Sequence, residues 1–115
     1  MINEALIAAT LVLAPLGGAA ALVAQEPADT TLARGKEVYR QQRCRLCHSI
    51  DGDGNRRYPL DGVGSRLNDE DLRKWIVAPQ EMSPGVRKRA YDKLSAADLR
   101  ALVAYLKSLQ APSGP

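Results

Sequence analysis

The chain has 115 residues, 45% of them apolar and 25% charged, and its 16 Lys and Arg against 13 Asp and Glu give a net charge of +3. This length admits one domain, and the balance of apolar and charged residues excludes wholesale disorder. With two Cys and one His in total, the chain cannot build a four-ligand Cys/His zinc site, and a Ser-His-Asp triad would have to claim its only His.

Residues 5–24 carry no charge and are rich in Ala, Leu, Val and Ile, broken by Pro15 and the pair Gly17-Gly18. The run ends at Leu22-Val23-Ala24 and is followed by polar Gln25-Glu26-Pro27. This reads as the apolar region and small-residue end of a secretory signal peptide, or as a retained N-terminal membrane anchor, since about 20 apolar residues can cross a bilayer. The basic start of a usual signal is missing, for no Lys or Arg precedes Arg34. Either reading exports the rest of the chain. Residues 25–31 then read as a polar linker.

Leu32, Lys36, Tyr39 and Arg43 lie about one turn apart, which predicts a helix from Leu32 to about Arg43. Residues 51–64 hold Gly52, Gly54, Pro59, Gly62 and Gly64 and read as a loop. Asn68 is a good N-cap, and Asp69, Glu70 and Asp71 place negative charge where a helix dipole favours it. Leu72, Trp75 and Ile76 supply that helix's apolar stripe, and Pro79 ends it. Ser83-Pro84-Gly85 is a turn. Ser95 and Asp98 resemble a capping box, with Leu94 and Leu99 placed as a hydrophobic staple. Leu99, Leu102, Val103 and Leu106 then mark a buried helix face, and Pro112 and Gly114 lie beyond its end. No run alternates with period two and no hairpin turn is flanked by strands. The expected class is all-α, with three to five short helices around one site, a domain over residues 32–110, and a tail at 111–115.

The chemistry lies in Cys44-Arg45-Leu46-Cys47-His48, a C-x-x-C-H attachment sequence for c-type haem. Two thiols three residues apart can each add to one haem vinyl group, and the adjacent His is delivered to the iron as proximal ligand. A thioredoxin-like motif would need a strand-helix context, a disulfide across so short a loop would add little stability, and a metal site lacks soft ligands. Covalent haem is the reading that accounts for all three residues. Having no Phe and one Trp, the chain is also short of the flat apolar bulk that a porphyrin supplies.

With these residues in view, the chain resembles the small monohaem class I cytochromes c over roughly Leu32 to Leu109. Gly35-Lys36-Glu37-Val38-Tyr39 looks like the family's N-terminal helix, and Leu102-Val103-Ala104-Tyr105-Leu106 like its C-terminal partner. A small Gly35 would let the two backbones approach, with Tyr39 and Tyr105 at the crossing. Tyr58-Pro59-Leu60 resembles the loop whose Pro carbonyl accepts the proximal His N–H. Gly64-Ser65-Arg66-Leu67, followed by Trp75-Ile76, resembles the segment that reaches the haem propionates. The resemblance thus implies haem-environment roles for Pro59, Arg66 and Trp75. From the residues alone, Trp75 is equally plain core and Arg66 a solvated loop residue.

The sixth iron position stays open. Met82 is the thioether available, since Met1 is the other Met of the chain. However, Pro84-Gly85-Val86-Arg87-Lys88-Arg89-Ala90-Tyr91 resembles the family's Pro-Gly-x-x-Met-Pro-x-Tyr run, with Lys88 where Met would stand. Deprotonating an ordinary Lys at pH 7 costs about 4.6 kcal/mol, a cost that a thioether does not carry. Met82, Lys88 and an open site are the three alternatives.

The implied function is single-electron transfer between redox partners through one covalently bound haem c, in the periplasm or at an extracytoplasmic membrane face. Alternatives are a haem-based binder or sensor of small ligands, or a haem subunit of a larger oxidoreductase. Arg87-Lys88-Arg89 reads either as a solvated loop or as a docking patch for an acidic partner. Nucleic acid does not suit an exported chain of this modest charge, and membrane contact depends on whether the N-terminal segment is retained. Asp51-Gly52-Asp53-Gly54-Asn55 imitates a calcium loop, but lacks its sixth-position Gly and twelfth-position Glu, and reads as a turn.

Overall fold

The computed structural model describes residues 11–14, 17–18 and 27–112. The signal-or-anchor segment lies largely outside the described residues, as do residues 113–115 of the tail. Among the described residues, no helix is long and apolar enough to cross a membrane.

The chain opens with α1, Ala28–Gln41. This helix begins inside the segment expected to be a linker. The Pro27 carbonyl accepts from the N–H groups of Thr30 and Thr31 at 2.9 and 3.2 Å, and Asp29 complements the first turn. After Gln41 the backbone reverses at Arg43, which takes the left-handed conformation at φ 58°. A 3₁₀ turn, Cys44–Leu46, follows.

Three short strands come next: β1 (His48–Ile50), β2 (Asp53–Gly54) and β3 (Tyr58–Pro59). They form one sheet in the order β2-β1-β3, with β2 antiparallel and β3 parallel to β1. The expected all-α class therefore holds for the bulk of the fold, with this small sheet added. Asp51 and Gly52 connect β1 to β2 with φ of 50° and 77°, the two positive values of a type I′ hairpin turn. The expectation of no hairpin is thus corrected. Strands of two or three residues are too short to display an alternation.

The remaining elements are α2 (Val63–Arg66), α3 (Asp69–Val77), α4 (Pro79–Met82) and α5 (Ala96–Ser108). Asn68 caps α3 as expected, its side chain accepting from the Asp71 N–H at 2.8 Å. Pro79 both follows the end of α3 and opens α4 at its first position, where its missing N–H costs nothing. Ser95 caps α5 by accepting from the Asp98 N–H at 3.1 Å. Replacing Ser95 with Ala is expected to cost about 1 kcal/mol, the usual worth of such a cap, read from the urea midpoint at constant slope.

Val38, Val63, Leu72, Ile76, Leu102, Val103 and Leu106 form the core. The α5 stripe is its spine, with α1, α2 and α3 laid against it. The α1–α5 crossing is very close. A Cβ placed on Gly35 would overlap the Ala101 carbonyl oxygen and come within 2.5 Å of Tyr105 Cβ. Gly64 makes the same approach to the Lys107 carbonyl. Lys107 in turn donates from Nζ to the Gly64 and Leu67 carbonyls at 2.8 and 3.0 Å, satisfying the end of α2. The Tyr39 and Tyr105 rings meet edge-on at the crossing, 5.9 Å between centroids. Arg34 donates to both carboxylate oxygens of Asp98 at 2.8 and 2.9 Å, joining α1 to the start of α5. That pair holds the Asp98 carboxyl below its ordinary value, chiefly through the hydrogen bond from Arg34.

Candidate functional site

The 3₁₀ turn is wound by two backbone bonds, Leu46 N–H to Arg43 O and Cys47 N–H to Cys44 O, both 3.1 Å. Residues three apart eclipse one another in such a turn, so Cys44 and Cys47 share one face. An α-helical continuation of α1 would not stack them so directly. Both cysteines are free, Cys44 half-buried and Cys47 exposed. Burial pushes the Cys44 thiol up, an effect partly opposed by the nearby charge of Lys88.

His48 opens β1 next to this turn. Its Nδ1 lies 2.9 Å from the Tyr58 carbonyl oxygen. A carbonyl only accepts, so Nδ1 carries the ring proton and Nε2 keeps its lone pair. The family resemblance places the acceptor at Pro59. The strand register decides otherwise, pairing His48 with Tyr58 and Ser49 with Pro59. Pro59 instead sits opposite buried Ser49, whose carbonyl accepts the Leu60 N–H at 2.8 Å.

Asn55 clamps the motif from the other side. Its backbone N–H is shared between the Arg45 and His48 carbonyls at 3.0 Å each, and its Nδ2 donates to the Leu46 carbonyl at 3.0 Å. Arg45 pairs with Asp53 at 2.6 Å. The sequence patterns did not single out Asn55, and the resemblance named the right loop but the neighbouring carbonyl, that of Pro59 rather than Tyr58. The hairpin-forming Asp51-Gly52 pair was the available signal, since it folds this loop back onto the motif.

The other expected residues are less tightly gathered. Arg66 is exposed, and its Nη1 donates to the Asp61 carbonyl at 2.9 Å. Trp75 is half-buried on α3 but is not part of the apolar cluster that takes Leu72 and Ile76 from the same helix. Met82, also half-buried, ends α4. Residues 86–90 run without helix or strand, and within this segment Arg87 and Arg89 are exposed while Lys88 turns inward. The three cations thus differ in exposure, although the Arg89 guanidinium also lies over the Tyr91 ring, 5.2 Å from its centre. Lys88 Nζ lies 5.1 Å from the centre of the Tyr91 ring and 3.2 Å from the Arg89 carbonyl, to which it donates. Burial pushes its pKa down, against the opposing influence of Cys44 and Cys47.

This donor set fits a covalently held haem. Two reduced thiols share one face of a turn, and an imidazole beside them has its second nitrogen free for a metal. Tyr39 supplies a further sign. Its hydroxyl is buried without a partner among the described residues, and burial chiefly, with Cys44 next, pushes its pKa to about 12. An unsatisfied hydroxyl near Cys44 marks a space whose polar contents the protein chain alone does not complete.

Residues 32–110 match the family model described as cytochrome c. The chain is 35% identical over 95 residues to cytochrome c oxidase subunit 2 of Alkalihalophilus pseudofirmus, covering 75% of this chain and 28% of that protein. It is 29% identical over 103 residues to the same subunit of Bacillus subtilis, covering 75% of this chain and 29% of that one. Against cytochrome c-555 of Methylococcus capsulatus it is 39% identical over 44 residues, 38% of this chain and 36% of the relative. The chain therefore spans under a third of the length of the two oxidase subunits. No solved structure matches it.

Proposed function

The chain belongs to the cytochrome c family, and from that premise we propose that it is an exported monohaem carrier of single electrons. A cytochrome c domain implies a covalently bound haem c, an electron-carrying role and redox protein partners. The finer reading is that Cys44 and Cys47 are the thioether tethers of one haem and His48 is its proximal ligand. When bound, the haem supplies an iron that alternates between Fe(II) and Fe(III).

The remaining work falls to the chain. The observation that carries the proposal is the hydrogen bond from His48 Nδ1 to the Tyr58 carbonyl. It fixes the tautomer, aims Nε2 and makes the imidazole a stronger donor. The 3₁₀ turn holds the thiols side by side, and the Asn55 clamp keeps turn and imidazole in one rigid unit. Tyr39, whose buried hydroxyl is influenced by Cys44, would border the haem with apolar surface, which limits water and thereby helps set the potential; Trp75 takes a haem-environment role by the family resemblance. By the same resemblance, exposed Arg66 would supply positive charge toward the haem propionates. Arg87 and Arg89 face solvent, where they favour encounter with an acidic partner surface. Export is supported by the uncharged run at residues 5–24.

The test is a reversible one-electron titration of the purified chain, followed by carbon monoxide addition to the reduced form. A single one-electron wave and no rapid spectral change on carbon monoxide are expected. Rapid carbon monoxide binding by the wild type would replace the carrier reading with that of a small-ligand binder.

A second reading is favoured by the similarity to two oxidase subunits. In it the chain is the haem domain of a larger oxidoreductase, accepting electrons that another polypeptide uses. Stable co-purification with an oxidase complex would establish that assignment over a freely diffusing carrier.

A further inference from the structure

We propose that Lys88, rather than Met82, is the second axial ligand of the iron, through its neutral Nζ amine. This rests on the reading of Cys44, Cys47 and His48 as the haem-attachment unit.

Three features of the structure converge on Lys88. The first is the local alternation of exposure. Arg87 and Arg89 are exposed and Lys88 between them is half-buried, so the segment sends one of its three cations inward. A long cationic side chain ordinarily snorkels its charge into water; Arg87 and Arg89 stay exposed, Arg89 with its guanidinium also over the Tyr91 ring, whereas Lys88 is half-buried.

The second is where the inward amine arrives. Lys88 lies within electrostatic reach of both Cys44 and Cys47, the two thiols that face the haem space. Its Nζ has as partners the Arg89 carbonyl at 3.2 Å and the Tyr91 ring at 5.1 Å. A carbonyl and a ring face are modest compensation for a partly desolvated ammonium, and no carboxylate pairs with it among the described residues.

The third is that the backbone around it is fixed. Gln80 Nε2 donates to the Val86 and Lys88 carbonyls at 3.4 and 3.2 Å, and the Tyr91 N–H is held by the Ile76 carbonyl at 2.9 Å. The segment is thus tied to α4 at one end and α3 at the other, with Lys88 between the ties. Met82 is held differently. It closes the short helix α4, whose last turn is set by the Ser83 N–H to Pro79 carbonyl bond at 3.0 Å.

The ligation step is balanced simply. The Nζ ammonium gives a proton to solvent water, and the freed lone pair forms the bond to iron. No electron changes hands. The hydrogen bond to Arg89 can persist, since a bound amine still carries two N–H groups.

The experiment compares the ferric and ferrous spectra of the full haem-loaded chain with those of Lys88→Ala, Lys88→Arg, Lys88→Met and Met82→Ala. Covalent haem is followed in parallel by haem staining after denaturing electrophoresis. Lys88→Arg keeps the positive charge but cannot supply a neutral nitrogen, because a guanidinium does not deprotonate in proteins.

Loss of the low-spin ferric signature is expected in both Lys88→Ala and Lys88→Arg, with rapid carbon monoxide binding gained and haem staining retained. Lys88→Met should stay low-spin, gain a sulfur-to-iron charge-transfer band that the wild type lacks, and shift to higher potential, as thioether ligation raises it. Met82→Ala should match the wild type. A charge-transfer band already present in the wild type and lost in Met82→Ala would overturn the assignment. So would a low-spin spectrum unchanged in all three Lys88 variants, or a wild type that is high-spin. A wild-type chain without haem staining would overturn the attachment reading itself, and this proposal with it.

Discussion

A chain carrying Cys44→Ala and Cys47→Ala together is expected to lose all haem that survives denaturing electrophoresis. Each single variant should lose most of it. The geometry gives the reason. The two thiols occupy one face of a single 3₁₀ turn, so each has its own bond to make and neither can replace the other. Cys47 is exposed and Cys44 half-buried, so truncation to Ala removes little packing from the apolar cluster, to which neither belongs. Haem staining, read beside the far-ultraviolet dichroism of the same samples, separates failed attachment from failed folding. Normal staining in the double variant would refute the assignment of these residues as tethers.

The second large effect is expected at a residue remote from the haem motif. Gly35→Ala should destabilise the fold by about 3 kcal/mol, at the upper part of the range for overpacking a tight interface. For a domain of this size that lowers the melting temperature by roughly 10–20 °C. The added methyl would overlap the Ala101 carbonyl oxygen, which is backbone inside α5, and press on Tyr105 Cβ. Neither is the free end of a flexible side chain, so the helices themselves must part. In the middle of an exposed helix the same substitution would stabilise by about 1 kcal/mol through propensity, so its sign reports the crossing. Lys36→Ala, on the exposed neighbouring residue, is the control and should stay within about 0.5 kcal/mol. Thermal melts of the haem-loaded chain decide the matter. A Gly35→Ala chain as stable as the wild type would mean that the α1–α5 crossing is looser than the structure shows.

How much was legible beforehand differs by element. The caps at Asn68 and Ser95 were readable because a cap is local: one oxygen, one N–H, three residues. The core face of α5 was readable because its period is regular over a long helix. The start of α1 was misread because Pro27 and the threonines after it look like linker, yet Pro suits a helix entrance. The sheet was missed because its strands are too short for a period. The carbonyl that orients His48 was misplaced by one residue because parallel register is fixed by how β3 meets β1 in space.

By itself, the sequence determined the motif on which the proposed attachment rests. Two thiols and an imidazole within five residues are a local motif, and their meaning depends on spacing alone. It also determined the helical core, because amphipathic periodicity states which face is buried. The tertiary structure decided what surrounds the motif. Which carbonyl holds the His48 proton, which side chain clamps the turn and which of three adjacent cations faces inward all depend on segments brought together from distant parts of the chain. The question of Met82 against Lys88 is of this kind. A residue count made Met82 the ready candidate, but counting cannot say where a side chain points. Only the path of residues 83–91, tied by Gln80 and the Ile76 carbonyl, leaves Lys88 half-buried over the Tyr91 ring while Arg87 and Arg89 stay exposed.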